Sequence, residues 1–300
     1  MKQAKRRVWS ILLACVMLLT MLPAGAWAAD EAQEVGTAAE LIQAFSAGGE
    51  IRLKNDITVN NADINFNALI LQAGVSATLD LNQHTLTMNN NGMVDDTAYV
   101  KKYPTSFPST GIINAGALTV ENGTIKGTMA VTALIANRNT GTLVLADDVR
   151  VEKSGVGNVI DNLGGSVTSS ADITADTTYS AIVTYGGSVT IEGGTIEGYD
   201  GLDIYNRFYT NTSDGAAVTV NGGTISAQVY ALNTNNLYSG GNTPSNAVIN
   251  GGKLSSSRGS AIYWPSAGTL TIGTEGGDDE AVSVSTPAGS AIEVCSGTLE

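Results

Sequence analysis

The chain contains 300 residues, of which 28 are acidic, 15 are basic and one is histidine, so its formal net charge at pH 7 is −13. This balance argues against a function in binding nucleic acid or anionic membranes, because both attract basic surfaces. The single histidine argues against sites that need several imidazoles.

Residues 1–28 have the pattern of a secretory signal peptide. Four basic residues precede an apolar run from Val8 to Leu22, and Ala26-Trp27-Ala28 forms a cleavage site with small residues at both ends. The run of about 15 residues is too short to span a membrane, so we expect no membrane span after cleavage. The mature chain would hold 11 basic and 28 acidic residues, a net charge of −17, and Cys295 as its sole cysteine, so no internal disulfide can form.

Residues 29–50 are predicted to form a linker and a short capping helix. Thr37 and Glu40 have the spacing of a capping box, and Leu41, Ile42 and Phe45 share one face of a helix from Ala38 to about Ala47. Glycines follow at once and end the helix. A single amphipathic helix before a series of strands suits the open first edge of a β-helix.

From about residue 111 onward, a repeat of 22 to 30 residues dominates the sequence. Periods of this length are typical of solenoids. Within each unit apolar and polar residues alternate over three to five positions, which predicts short strands with one buried face, and Gly-Gly or Asn-Gly pairs mark the corners. The first marker of the repeat is Ile112, Ile135, Ile160, Ile182, Ile204, Leu232, Ile262 and Ile292, and the second is Val120, Leu145, Ser169, Ile191, Val220, Ile249 and Ile272.

Asparagine recurs two residues after the first marker, at Asn114, Asn137, Asn162 and Asn206. A spacing of two places the asparagine on the same inward face as the marker. Buried amides must be hydrogen-bonded, and stacked asparagines can satisfy one another. We therefore predict an internal asparagine ladder with a structural role.

The pattern predicts an all-β fold, a parallel β-helix over residues 51–300 with the short N-terminal α-helix as its cap. The GGTI and LTV units, together with LDLNQHTLT at Leu79–Thr87, resemble the right-handed parallel β-helix proteins of the pectate-lyase-like superfamily, and more closely the repeat-rich surface proteins of bacteria. This resemblance covers residues 36–300 and implies a right-handed solenoid whose members include lyases, hydrolases, adhesins and inert stalks. Because residue 300 falls midway through a coil, we expect the β-helix to continue or another module to follow.

Aromatic residues are concentrated in the later coils. Eight of the ten tyrosines lie between Tyr179 and Tyr263. Exposed rings beside Asn and Asp side chains suit a sugar, whose C–H faces pack on rings while its hydroxyls accept and donate hydrogen bonds. An outward tyrosine ladder that only braces the coils is the alternative. The predicted ligand-binding residues are Tyr205, Phe208, Tyr209, Tyr238, Tyr263 and Trp264.

The carboxylates support an alternative hypothesis, in which the chain is an enzyme. The tract from Tyr199 to Ile204 resembles the aspartate-containing strand of polygalacturonases, which implies Asp200, Asp203 and Arg207 as catalytic residues. That family's histidine-glycine and arginine-x-lysine elements have no counterpart here. We predict no cofactor and no dedicated metal site; calcium bound by corner aspartates is an alternative.

Three functions are therefore compatible with the sequence. The first is an exported or cell-surface binding or adhesive stalk that recognises a glycan or another host or cell-surface ligand. The second is a polysaccharide-degrading lyase or glycoside hydrolase, and the third is a structural spacer. The binder needs exposed rings, the enzyme needs clustered carboxylates, and the spacer needs neither.

Overall fold

The structure is a computed structural model that describes residues 31–65, 67–93, 109–205, 215–234, 244–273 and 281–300. The chain divides into a short unit, Met1–Ala32, and a larger unit, Gln33–Glu300. The predicted signal peptide and Asn206 lie outside the described residues. The sequence also predicts a surface loop at residues 89–110 and two insertions at 207–216 and 235–246, and most of these residues lie outside the described ranges as well.

The described elements are one helix and short strands. In chain order they are β1 (Gln33–Val35), α1 (Ala38–Ala47), β2 (Gly49–Leu53), β3 (Ile57–Asn60), β4 (Leu69–Leu71), β5 (Ser76–Asp80), β6 (Thr85–Asn89), β7 (Gly92–Met93), β8 (Ser109–Asn114), β9 (Ala117–Glu121), β10 (Gly123–Gly127), β11 (Ala133–Arg138), β12 (Thr142–Leu145), β13 (Val149–Lys153) and β14 (Asn158–Leu163). They continue as β15 (Ser166–Ser169), β16 (Asp172–Thr174), β17 (Ile182–Thr184), β18 (Ser188–Ile191), β19 (Thr195–Ile204), β20 (Ala217–Val220), β21 (Thr224–Thr234), β22 (Asn246–Ile249), β23 (Lys253–Ser256), β24 (Ile262–Trp264), β25 (Thr269–Ile272), β26 (Ser283–Ser285), β27 (Ile292–Val294) and β28 (Thr298–Leu299).

The strands stack in three parallel ladders. The first is an 11-stranded sheet in the order β1-β2-β5-β9-β12-β15-β18-β20-β22-β25-β28. The other strands form one sheet in which two ladders share the long strands β19 and β21: the second ladder contains β3, β6, β10, β13, β16, β23 and β26, and the third contains β4, β8, β11, β14, β17, β24 and β27. The pair β7 and β8 is antiparallel. The chain visits the three ladders in turn, one circuit per coil, which makes the larger unit a parallel β-solenoid.

The register between coils confirms the second marker throughout. Its residues pair in sequence from Val120 to Ile272. The first marker is confirmed from Ile112 to Ile182 and from Leu232 to Ile292, but Leu202, not Ile204, pairs with Ile182. Leu202 and Ile204 are both buried inward positions of one unbroken strand, so alternation alone does not distinguish them.

The asparagine ladder is present at Asn114, Asn137 and Asn162. Thr184 and then Ile204 occupy the next two positions, so the corrected register does not extend the ladder to Asn206. Asn114 Nδ2 donates to Asn137 Oδ1 at 2.8 Å, and Asn137 Nδ2 donates to Asn162 Oδ1 at 3.0 Å. Asn162 Nδ2 then reaches the hydroxyl of Thr184 in the next coil at 3.3 Å. All four side chains are buried, and each amide also donates to backbone carbonyls, so the ladder joins one coil to the next.

In three consecutive coils, the corner between the first and second ladders requires glycine. Gly194, Gly223 and Gly252 occupy this corner in consecutive coils, with φ of 76°, 84° and 94°. A Cβ on Gly223 would lie 2.6 Å from the carbonyl oxygen of Gly194. The left-handed backbone and the close stacking of coils both exclude a side chain there.

Helix α1 lies in the predicted span and begins with the predicted capping box. The Thr37 hydroxyl accepts from Glu40 N at 3.2 Å, and the Glu40 carboxylate accepts from Thr37 N at 3.0 Å. Leu41 and Phe45 are buried and belong to the same apolar cluster as the inward residues of the strands. Within the described ranges, no helix is long and apolar enough to cross a membrane.

Candidate functional site

Acidic and aromatic side chains occupy several outward positions of the third ladder. The residue after each marker points away from the core because successive strand residues face opposite sides. The pairing of strands stacks these residues in one column, coil by coil: Asp161, Val183, Asp203, Asn233, Tyr263 and Glu293. Asp200 and Tyr230, each two residues before its marker, pair beside this column. We call Asp200, Asp203, Tyr230, Asn233, Tyr263 and Glu293 the acidic–aromatic face.

Two carboxyl groups of this face are buried. Asp200 is 7% exposed and Asp203 is 8% exposed. Burial raises the pKa of Asp200 to about 6, although the Tyr230 backbone amide donates to its Oδ1 at 3.1 Å. Burial, followed by the charges of Asp200 and Asp161, raises the pKa of Asp203 well above its ordinary value. Both groups therefore hold a proton more tightly than exposed aspartates do.

Asn233 connects this pair to the next coil. Its Nδ2 donates to Asp203 Oδ1 at 3.3 Å. Its side-chain oxygen is buried and has no hydrogen-bond partner in the described part of the chain. An acceptor without a donor costs on the order of 1–3 kcal/mol, so the Asn233 oxygen is a candidate ligand-binding group rather than only a part of the packing.

Two tyrosines form the more accessible part of the face. The rings of Tyr230 and Tyr263 stack with centroids 5.1 Å apart and an interplanar angle of 19°, and both side chains are partly exposed. Burial and then the charge of Asp200 raise the pKa of Tyr230, and burial and then a hydrogen bond with Cys295 raise the pKa of Tyr263. Both phenols therefore stay protonated, so the pair offers a flat neutral surface beside Asp200.

Of the predicted ligand-binding residues that the structure describes, Tyr263 lies in the acidic–aromatic face and Tyr205 does not. Tyr205 is partly exposed but follows Ile204, three residues after the corrected marker, and its ring packs edge-on against Tyr185 at 5.5 Å. Tyr205 therefore does not share the column of Tyr263.

The prediction that Trp264 presents an exposed ring is wrong. Trp264 is 0% exposed and belongs to the apolar core, because it stands two residues after the marker Ile262 and so faces inward. Its indole nitrogen has no partner within the described residues. Phe208, Tyr209, Tyr238 and Arg207 lie outside the described ranges.

Sequence reasoning missed Tyr230, Asn233 and Glu293. A signal for Asn233 and Glu293 was available, because each stands one residue after its marker and so shares a column with Tyr263. Tyr230 had no such signal, because its pairing with Asp200 depends on a shift of register between Gly198 and Asp200. Clusters of three or more His, Cys, Asp or Glu able to hold a metal are absent from the described part of the chain. The alternative of calcium bound at corner aspartates stays a prediction.

Comparison of the chain with protein-family models, with curated proteins and with solved structures finds no match. Any functional inference therefore depends on the residues of the face themselves.

The buried carboxyl of Asp200 predicts a pH-dependent stability. Its folded pKa of about 6 exceeds the ordinary 3.8, so the folded state binds the proton more tightly and loses stability as pH rises from about 4 to about 6. We expect Asp200→Asn to be more stable than the native chain by about 3 kcal/mol at pH 8 and by little at pH 4. Urea unfolding at both pH values measures this difference. Asp147→Asn, at an exposed corner, is the charge-matched control, and identical pH profiles for native chain and Asp200→Asn would contradict the expectation.

Proposed function

We propose that this chain is a secreted or cell-surface protein whose acidic–aromatic face binds a glycan, as part of a binding or adhesive stalk. The observation that carries the proposal is the stacked, partly exposed pair of Tyr230 and Tyr263 beside Asp200. Sugar C–H faces pack on aromatic rings, and carboxylates accept hydrogen bonds from sugar hydroxyls. The column repeats once per coil, which suits a chain-like ligand better than a small molecule.

The remaining parts of the proposal rest on sequence and general physics. The pattern of residues 1–28 supports export through a cleaved signal peptide. Connections between parallel strands are right-handed in nearly all proteins, which supports a right-handed β-helix of the pectate-lyase-like type. Helix α1, whose buried face joins the core beside the first strands, is proposed as the cap of that end.

A second candidate function is glycan hydrolysis by Asp200 and Asp203. The observation that favours it is the pair of buried carboxyl groups with raised pKa on one strand, because a carboxyl group that keeps its proton near pH 6 can act as a general acid. Arg207, the third residue of the predicted catalytic set, lies outside the described residues.

A glycan array followed by titration of the bound glycan tests both candidates. We expect Tyr263→Ala to weaken binding at least about tenfold, which corresponds to the loss of one aromatic contact of about 1.4 kcal/mol. Thr219→Ala, on the outward side of the first ladder, is the control and should bind as the native chain does.

The same glycan is then assayed for new reducing ends. New reducing ends that form with the native chain but not with Asp200→Asn would establish that the chain hydrolyses the glycan and does not only bind it. Binding without product supports the stalk with a glycan-binding face. If no glycan binds and no product forms, the structural spacer is the remaining function and the proposal is wrong.

A further inference from the structure

Within the described residues, the acidic–aromatic face has one buried acceptor without a donor. It is the Asn233 side-chain oxygen, in a side chain that is 5% exposed and whose amide nitrogen already donates to Asp203. The Tyr230 amide is used on Asp200. A ligand that brings hydrogen-bond donors would therefore complete the bonding of this cluster, whereas a ligand that brings only acceptors would not.

No basic residue is among the described groups whose charges most affect this face. The charges with the largest effect on Asp203 are those of Asp200 and Asp161, and Tyr230 is affected by Asp200 and Glu293. All of these are acidic. Arg258, whose backbone amide donates to Gln228 O two residues before Tyr230, has an exposed side chain. A cation bound beside these carboxyl groups would favour their ionised form and offset the effect of burial, whereas an anion such as a uronate would oppose their ionisation.

The neighbouring rings favour an organic cation over a metal ion. A divalent ion such as calcium takes six to eight oxygens at once, and the described residues include no cluster of three metal-ligating side chains. A protonated amine needs fewer partners, donates three hydrogen bonds, and is attracted to the faces of tyrosine rings. The stacked rings of Tyr230 and Tyr263 lie next to the carboxyl groups, so one ligand can engage both.

We propose that the acidic–aromatic face selects glycans that carry free, protonated amino groups, of which an oligomer of β-linked glucosamine is the simplest. The amine is bound by Asp200, Asp203 and the Asn233 side-chain oxygen, and the sugar rings stack on Tyr230 and Tyr263. This inference rests on the proposed glycan-binding function and adds the chemical class of the ligand. It excludes acidic glycans as the preferred ligands.

Calorimetric titration of the purified full chain with three tetrasaccharides tests the inference: glucosamine with free amines, N-acetylglucosamine, and galacturonate. We expect the free-amine tetramer to bind at least about tenfold more tightly than its N-acetylated counterpart at neutral pH, and galacturonate to bind most weakly. Asp203→Asn and Asp200→Asn should each remove most of that preference. Asp147→Asn makes the same charge change at an exposed corner and should keep the preference.

The outcomes separate this inference from the proposed function. Equal or tighter binding of the N-acetylated or acidic tetramer, lost in Tyr263→Ala, would overturn the amine preference and leave glycan binding intact. Tetralysine bound as tightly as the glucosamine tetramer would overturn recognition of the sugar. Calcium chloride bound alone in an Asp203-dependent manner would show that the cation is a metal. Thermal melts of both aspartate variants exclude misfolding as the cause of a lost preference.

Discussion

Trp264→Ala is expected to lower the free energy of unfolding by about 4 kcal/mol, the usual loss for a large aromatic side chain removed from a core. Trp264 is fully buried, and it is the largest of the fully buried side chains in the described residues. It occupies the inward position two residues after Ile262, where neighbouring coils pack directly against it. The cavity left by alanine would lie between coils that cannot close up without disturbing the ladder registers.

The effect is measured by urea unfolding, with Trp264→Phe and Tyr263→Ala as controls. Phenylalanine keeps most of the buried ring and removes the unpartnered indole nitrogen, so we expect a loss within about 1 kcal/mol. Tyr263 is the outward neighbour on the same strand, and its removal should affect glycan binding more than stability. A Trp264→Ala variant with native stability and lost binding would restore the interpretation of Trp264 as an exposed ligand-binding ring.

Asn137→Ala is expected to lower the free energy of unfolding by about 3 kcal/mol, nearly as much as Trp264→Ala. The Asn137 side chain accepts from Asn114 and donates to Asn162 Oδ1 and to the carbonyls of Gly141 and Ser166, all within 3.2 Å. Alanine would leave several of these groups buried and unpartnered, each at a cost on the order of 1–3 kcal/mol. The substitution weakens the junction of three coils, because the Asn137 side chain forms hydrogen bonds with the preceding and the following coil.

An exposed ladder in the same solenoid provides the matched control. Asn221 accepts from Asn250 Nδ2 at 2.8 Å and donates to Glu192 at 2.8 Å, in the same coil-to-coil manner, but on the surface. Water replaces these partners in Asn221→Ala, so we expect a loss below about 1 kcal/mol. Equal losses in the two variants, measured by urea unfolding, would show that burial is not what gives the internal ladder its importance.

The coil architecture could be predicted from the sequence because a repeated strand has two independent signals, the period of the repeat and the alternation of apolar residues. Both fix the register of Val120 and Ile135 with their counterparts. The same alternation failed at Ile204, because Leu202 has the same parity and no corner residue separates the two. Trp264 shows a different error: its proximity in sequence to other aromatic residues favours a ligand-binding ring, whereas its parity with Ile262 indicates an inward one.

The site was only partly predictable. Tyr263 was predicted from residue type and position, and Asp200 and Asp203 were implied by the resemblance to polygalacturonases. The pairing of Asp200 with Tyr230 depends on a shift of register between Gly198 and Asp200, which no pattern in the sequence announces. The unpartnered oxygen of Asn233 is likewise a matter of side-chain geometry, and residue type alone gives no sign of it.

The uniform register of the asparagine ladder bears on how such a chain can change in length. Asn137 and Asn162 are equivalent positions of adjacent coils, so the segment from Arg138 to Asn162 is one complete turn. Deleting it would present Asn137 to Thr184 in place of Asn162 and would recreate an interface of the same kind. Gene-level duplication or loss of such turns would therefore lengthen or shorten the reach of the protein in steps of about 4.8 Å, with no need to redesign the junctions on either side.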